Sequence, residues 1–408
     1  MNILFFNRSF YPDTGATGQF LTELCEDLTD KGCNVTVIAG RSYGVNYLER
    51  KLISFEKYKS INIIRVGGTF FSKRFLLLRL VNLGTYFLLA FLAGFLVKTK
   101  PHVILAQTDP PLLGIHGLFF SKYYKAKFIY SCKDLYPEVG IVTKKLTDPF
   151  FNFLLDKINK FSFKFADAVF CLGEDMKQKI KNKGVIRDEI FVIRDWANTK
   201  SLFPVVDKDN LFKTKFGLNE KFTIMYSGNI GLTQNLDMVI DAAKAFKNKD
   251  EIKFLFIGEG ADKANLQEKV NNLELKNVQF LSYQPKEELR YSLGAADLHL
   301  ITLEKGLSGI VVPSKIYGIL SCGKPFIALV DEESDVSLIA KKFSCGIMVS
   351  PGDKESLVKA VEWAVNHREE IKKMGLNGRE AAVKYFDRKI STDLFYELTQ
   401  KVIFKNHL

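Results

Sequence analysis

The residues best suited to chemistry in this chain are glycines, one lysine and a few carboxylates, and they recur directly after short apolar runs. The richest stretch is Gly306–Ala328, GLSGIVVPSKIYGILSCGKPFIA. Gly306 and Gly309 make a flexible loop with free backbone donors. Pro313 suits a first helical position, which places Lys315 on the opening turn. A helix start plus one ammonium can clamp a diphosphate; the plain alternative for Lys315 is a solvated surface lysine. Cys322-Gly323-Lys324-Pro325 ends the helix and opens the next strand. Two more glycine turns lie upstream. Ser227-Gly228-Asn229-Ile230-Gly231 follows Thr223–Tyr226 and precedes a helix from about Asn235, and Ile257-Gly258-Glu259-Gly260 follows another apolar run. G-x-x-G is not the dinucleotide fingerprint. Two glycine loops on neighbouring strand ends would nevertheless converge where open parallel sheets bind nucleotides.

The first half carries a related device. Ile3–Phe6 runs into Pro12-Asp13-Thr14-Gly15-Ala16-Thr17-Gly18 and then a helix from about Gln19, a loop where Gly15 and Gly18 let backbone approach a ligand; glycine turns also punctuate most α/β folds. Lys133-Asp134-Leu135-Tyr136-Pro137-Glu138 follows Phe128–Ser131, and charged groups at a strand's carboxyl end are where such folds place reactive side chains. Asp134 there orients or deprotonates an acceptor hydroxyl, or is a turn cap.

Strands and helices alternate throughout, the pattern of open parallel sheets covered on both faces. Ile3–Phe6, Val35–Ala39, Ile61–Val66, Val103–Gln107, Phe128–Ser131, Ala168–Leu172 and Ile190–Arg194 are the predicted strands of the first half. Thr223–Tyr226, Phe254–Ile257, Val278–Leu281, Leu298–Thr302, Pro325–Leu329 and Gly346–Val349 are those of the second. Polar Ala197–Lys221 reads as a linker, and about Arg379–Phe404 as one long terminal helix that lies across both domains. The expected architecture is α/β, two doubly wound Rossmann-like domains: 1–196, 197–380, and a helical tail, 381–408, returning to the first.

Charge is uneven. Residues 1–187 hold 27 Lys and Arg against 15 Asp and Glu, which is the whole net charge of +12. Twenty-one of the 35 Phe fall there too. A basic surface joined to aromatic residues points to lipid rather than nucleic acid, and no zinc-finger spacing or recognition helix argues otherwise. Leu80–Val97 has no charge over 18 residues, with Lys73, Arg74, Arg79, Lys98 and Lys100 around it. It reads as a buried crossover helix or as an interfacial one; a span would put strands of one sheet on opposite sides of the bilayer. Pro149–Phe165, PFFNFLLDKINKFSFKF, interleaves six Phe with Lys157, Lys160 and Lys164. The expected membrane surface is therefore Phe70–Val97 with Pro149–Phe165, on an anionic membrane. Six scattered cysteines read as reduced thiols of a cytoplasmic protein, five scattered histidines mark no metal site, and MNILFFNRSFYPD reads as a strand and turn rather than a signal peptide.

Taken in order, GQFLTELCEDLTDKGCNVTVIAG, TDPP at Thr108–Pro111, YSGNIGLTQNLDMVIDAA, FIGEG, the Tyr283-Gln284-Pro285 turn and VPSKIYGILSCGKPFIA resemble retaining glycosyltransferases of the GT-B fold, family GT4. DLYPE with PSKIYG is most similar to transferases that extend lipid-linked bacterial surface polysaccharides, some of which move N-acetylfucosamine or related amino sugars. The resemblance implies two domains facing across a cleft, a UDP-sugar on the second, an acceptor on the first, no obligatory metal and no other cofactor. Retention would come from same-face attack as the leaving group departs. The implied donor-binding set is Gly15, Gly18, Gly228, Asn229, Ile230, Gly231, Gln234, Gly258, Tyr283, Gln284, Pro285, Ser308, Gly309, Ile310, Val311 and Lys315. Thr17, Lys133 and Glu138 would meet the acceptor, and Asp134, Lys315 and Glu304 would carry catalysis.

Departures from the family pattern are specific. Asn229 stands where many relatives have Arg, and Gln234 where a nearby Lys touches the donor phosphates; Lys315 would compensate. The Glu pair spaced seven apart is replaced by Ile310 and Gly318, with Glu304 as stand-in, and Lys133 occupies a His position. The function expected is transfer from a UDP-sugar to a polyprenyl-diphosphate-linked saccharide at the cytoplasmic face of the inner membrane. A UDP-sugar 2-epimerase and a silent scaffold subunit are the alternatives. The only D-x-D, Asp207-Lys208-Asp209, lies in the linker, away from any strand end, which argues against a metal-dependent transferase of the other common fold.

Overall fold

The computed structural model describes residues 1–13, 15–41, 51–69, 71, 76–144, 146–185 and 189–404. Phe70, Lys73 and Arg74 of the expected membrane surface lie outside them. The chain divides into two compact units, Met1–Arg194 with Thr392–Leu408, and Asp195–Ser391.

The first unit runs β1 (Asn2–Phe6), α1 (Ala16–Asp30), β2 (Asn34–Gly40), β3 (Ile53–Tyr58), β4 (Ile61–Val66), α2 (Leu76–Gly94), β5 (Val103–Gln107), α3 (Leu113–Tyr124), β6 (Lys127–Ser131), α4 (Glu138–Val142), α5 (Pro149–Phe165), β7 (Ala168–Cys171), α6 (Glu174–Asn182) and β8 (Ile190–Val192). Its sheet has the order β3-β4-β2-β1-β5-β6-β7-β8. The interior strands are buried along most of their length because helices cover both faces: Phe5 stacks on Phe395 on one side, and Phe6 meets His116 and Phe120 on the other. The sequence reading missed β3. Its outward Phe55, Glu56 and Lys57 are exposed, and it pairs antiparallel with β4 at the sheet edge, where no continuous apolar run is needed.

The second unit holds α7 (Leu211–Lys215), β9 (Phe222–Ser227), α8 (Leu236–Ala243), β10 (Ile252–Ile257), α9 (Lys263–Asn272), β11 (Val278–Leu281), α10 (Leu289–Gly294), β12 (Leu298–Thr302), α11 (Lys315–Ser321), β13 (Phe326–Leu329), α12 (Asp335–Phe343), β14 (Gly346–Val349), α13 (Lys354–Asn366) and α14 (Arg368–Tyr385), followed by α15 (Arg388–Phe404). Its sheet, β11-β10-β9-β12-β13-β14, pairs in parallel at each junction. Strand order reverses at β1/β5 in one sheet and at β9/β12 in the other. These are the switch points where ligands enter such sheets.

Two sequence readings are corrected. The 197–221 stretch is not a loose linker. The Arg379 guanidinium donates to Thr199 O, Leu202 O and Ser321 O at 3.1, 3.0 and 2.8 Å, and the Asp387 carboxylate accepts from Thr199 Oγ1 at 2.6 Å. The terminal helix is not continuous either. It breaks at Phe386–Asp387, where Ala197 bridges to Asp387, and restarts as α15. From Thr392 onward α15 belongs to the first unit, through Thr392 Oγ1 to Asp27 at 2.9 Å and Phe395 against Phe170.

Among the described residues no helix is long and apolar enough to cross a membrane. On α2, Tyr86, Ala90 and Ala93 are buried, while Val81, Leu88 and Leu92, with Phe95 just past the helix end, form an exposed stripe. Ile115, Phe119 and Tyr123 make a second exposed stripe on neighbouring α3, and α5 leaves Phe150 and Phe153 75% and 60% exposed. The α5 start is fixed by Pro149 and by the Asp148 carboxylate, which accepts from Phe151 N at 2.7 Å.

Candidate functional site

In the second unit the two glycine turns lock together beyond β9 and β10. Gly228 N donates to Ile257 O and Ile230 N to Glu259 O, both at 2.9 Å, and Asp262 N returns to Ile230 O at 3.1 Å. The contact is backbone on backbone. A Cβ on Gly258 would lie 1.9 Å from Gly228 O, and one on Gly260 2.0 Å from Ile230 O. Glycine is the residue type that permits this approach. Gln234 Oε1 accepts from Gly231 N at 3.2 Å, so Gln234 is spent holding the turn.

Lys315, the first residue of α11, runs into this locked pair. Its Nζ is 3.5 Å from the Tyr226 ring centroid and would be 2.9 Å from a Cβ on Gly228. The stem reaches the surface, but the ammonium is buried and has no hydrogen-bond partner among the described residues. Burial alone pushes its pKa down to about 7; no carboxylate compensates it. The ring beneath it partly offsets the lost hydration. The surface-lysine alternative is therefore set aside. A buried cation without an anion is poised for one that is not part of the chain.

Around this centre, Glu304 N donates to Thr233 O at 2.9 Å, bringing the β12 end beside the Gly231–Gln234 turn. The loop beyond turns through Gly306 and Gly309, at φ +86° and +70°. Ile310 N and Val311 N both bond Leu307 O, and the Ser308 hydroxyl is buried without a partner. Tyr283 is half exposed beyond β11, Gln284 Nε2 donates to Ser282 O at 2.8 Å, and Pro285 opens a short 3-10 turn. Gly318, at the second position of the missing Glu pair, faces Leu293 and Leu202.

The first unit gathers a separate cluster at its own switch point. The Thr108 hydroxyl accepts from Lys133 N at 2.9 Å and from Asp134 N at 3.1 Å, which fixes the KDLYPE turn to β5. The adjoining Asp109 carboxylate pairs with Arg8 at 2.9 Å and accepts from Ser9 Oγ at 2.5 Å. Asp134 and Lys133 are half-buried there. One oxygen of the Glu138 carboxylate pairs with Lys183, which also pairs with Asp156 at 2.8 Å, while the other is buried without a partner among the described residues. Gly15 is the exposed N-cap of α1, Thr17 is half-buried, and a Cβ on buried Gly18 would press on Asp13 at 3.1 Å. The sequence reading did not single out Arg8, Asp109 or Tyr226. The signal for each was its place, one or two residues from the end of a switch-point strand. Among the described residues no three His, Cys, Asp or Glu side chains group as a metal site would need.

Two parallel sheets, each with polar residues and glycine turns at its switch point, define a class: the GT-B glycosyltransferases. Residues 17–200 match Glycosyltransferase Family 4, and residues 207–381 match Glycosyl transferases group 1. The chain belongs to this glycosyltransferase family and is an enzyme of the GT-B fold. It is 27% identical over 264 residues to the probable glycosyltransferase WbjE of Pseudomonas aeruginosa, covering 64% of this chain and 65% of that protein. It is 25% identical over 378 residues to the putative colanic acid biosynthesis glycosyl transferase WcaI of Escherichia coli K12, covering 90% and 92%. Among solved structures, Anabaena Alr3699/HepE in complex with UDP matches with a TM-score of 0.75 at 14% identity over 98% of this chain and 100% of that one. WaaG, a glycosyltransferase involved in lipopolysaccharide biosynthesis, matches with a TM-score of 0.71 at 12% identity over 97% and 99%.

Proposed function

We propose that this glycosyltransferase moves a sugar from a UDP-sugar, held by the second unit, to a polyprenyl-diphosphate-linked saccharide held by the first, in bacterial surface polysaccharide synthesis. The observation that carries the reading is Lys315: a buried, unpartnered ammonium against Gly228 and beside the locked glycine turns. Such a cation favours a diphosphate strongly, and favours it more as charge builds on the departing UDP. Stabilising the leaving group in this way lets the acceptor attack on the same face, with retention, and requires neither a covalent carboxylate nor a metal. Asp134, held at the β5–β6 ends, would take the acceptor proton. The name of WcaI, a putative colanic acid biosynthesis glycosyl transferase, supports the polysaccharide reading, and the UDP bound by HepE supports a uridine donor.

The exposed stripes of α2, α3 and α5, with Lys157 and Lys164 beside Phe153 and Phe165, suit the headgroup region of an anionic cytoplasmic leaflet. The enzyme would sit peripherally on that face. UDP release should be measured with a panel of UDP-sugars and lipid-linked acceptors, with and without chelator. Turnover that survives chelation is the expected result. UDP bound tightly with no turnover on any acceptor would make the chain a binding subunit instead. In parallel, changing Phe150, Phe151 and Phe153 to Ser should release the protein from anionic liposomes; unchanged sedimentation would reject the docking helix.

A further inference from the structure

Tyr226 is the last aromatic residue of β9 and is fully buried, which on its own describes a core residue. Its two ends do more than fill space. The ring lies 3.5 Å under Lys315 Nζ, and the hydroxyl donates to Asn229 O at 2.7 Å, inside the Gly228–Ile230 turn. The same turn is held from the opposite side by Glu259 O, which accepts from Ile230 N at 2.9 Å. Among the described residues no hydrogen bond fixes Lys315 Nζ. The lysine's placement therefore depends on the ring, and the amide turn's placement depends partly on the hydroxyl of the same side chain.

From this geometry we infer that Tyr226 is a positioning residue for the donor diphosphate, seating the Lys315 ammonium with its ring and the Asn229 carbonyl with its hydroxyl. One side chain then registers the cation and the amide turn against each other. The inference rests on the reading of this site as the donor site. It adds a residue that need not touch the donor.

The two roles separate by mutation. UDP affinity should be measured by titration for Tyr226→Leu and Tyr226→Phe, each alone and combined with Lys315→Met. Leucine removes the ring and should weaken UDP about tenfold or more when Lys315 is present, but no more than about threefold beyond the Phe variant when Met replaces it. Phenylalanine keeps the ring and loses only the hydroxyl; it should cost about threefold in both backgrounds. Equal losses for Leu in the two backgrounds would make Tyr226 a core residue and overturn the inference. So would Phe and Leu variants that behave alike. If the Leu variant does not fold, pentafluorophenylalanine at 226 keeps the volume and reverses the ring's electrostatics. Relative to the Phe variant, which also lacks the hydroxyl, it should weaken UDP further only when Lys315 is present, and a flat response would overturn the inference. Failure of the underlying reading looks different: Lys315→Met alone would leave UDP affinity unchanged, which removes both.

Discussion

Two lysines that take their ammonium groups out of water, Lys183 in the first unit and Lys315 in the second, are treated in opposite ways. Lys183, with its side chain 8% exposed, sits between two carboxylates: Glu138, at the start of α4, and Asp156, on α5. Lys315 sits over an aromatic ring with no carboxylate and no hydrogen bond among the described residues. The first arrangement is what folding requires of a buried charge, since each ion offsets the desolvation of the others. The second leaves the desolvation of the ammonium largely uncompensated, and folding alone gives no reason for it. On the proposed function, Lys183 holds structure and Lys315 awaits the donor diphosphate.

The largest effect should come from breaking the satisfied cluster. Lys183→Met leaves two partly buried carboxylates facing each other and should cost about 2–3 kcal/mol of stability. UDP affinity should stay within about twofold. A denaturant titration beside a UDP titration checks both halves. A well-folded Lys183→Met protein that has lost UDP affinity would erase the distinction between the two lysines.

How much of this was legible in the sequence differs by level. The parallel strands were visible because burial on both faces demands near-continuous apolar runs; edge strand β3 was not, because half of its residues meet solvent. The glycine turns were visible from their position after strands, and their convergence followed from β9 and β10 being neighbours. Burial of the Lys315 ammonium was hidden, because lysine type predicts exposure and only the folded chain brings Tyr226 beneath it. Glu138 looked like an acceptor ligand from its place in DLYPE. One of its oxygens pairs with Lys183, 45 residues further along, and no local pattern announces such a pairing. The helix break at Phe386–Asp387 was equally hidden: it depends on Asp387 meeting Ala197 and Thr199.

The next effect tests the unsatisfied lysine. Lys315→Met should weaken UDP about tenfold or more. It should also stabilise the ligand-free protein, by about 1–2 kcal/mol, because a methionine of similar length needs no hydration. The signs are set by the direction of the shift. Folded Lys315, held near 7, binds fewer protons than an unfolded lysine between about pH 7 and 10.5. The penalty for burying it is therefore full below about 7 and fades as pH rises. Binding a diphosphate favours the charged form. Wild-type affinity should thus fall as pH climbs past about 7, by up to about tenfold per unit, and the Met variant should lose that slope. The groups facing the amine are the Tyr226 ring from β9 and, at longer range, His299 from β12, whose own pKa burial pushes down to about 3. Neither changes charge in this window. Parallel pH profiles for the wild type and Lys315→Met would show that the titrating group is elsewhere.

The smallest effect lies on the acid side of the satisfied cluster. Burial works to raise the Asp156 pKa, but hydrogen bonds from Lys160 and Lys183 outweigh it and hold the carboxyl below its ordinary value. A carboxylate depressed on folding adds stability above the unfolded value, about 3.9, and loses it as pH falls through the folded one. Asp156 is partly solvated, so the contribution is modest. Asp156→Asn should therefore lower stability slightly at neutral pH and flatten the decline below about pH 4, measured as midpoint against pH. The variant leaves Glu138 still paired with Lys183, so a neutral-pH loss as large as that of Lys183→Met would mean that Asp156 alone holds the lysine. That outcome would return Glu138 to the pool of residues free to meet an acceptor.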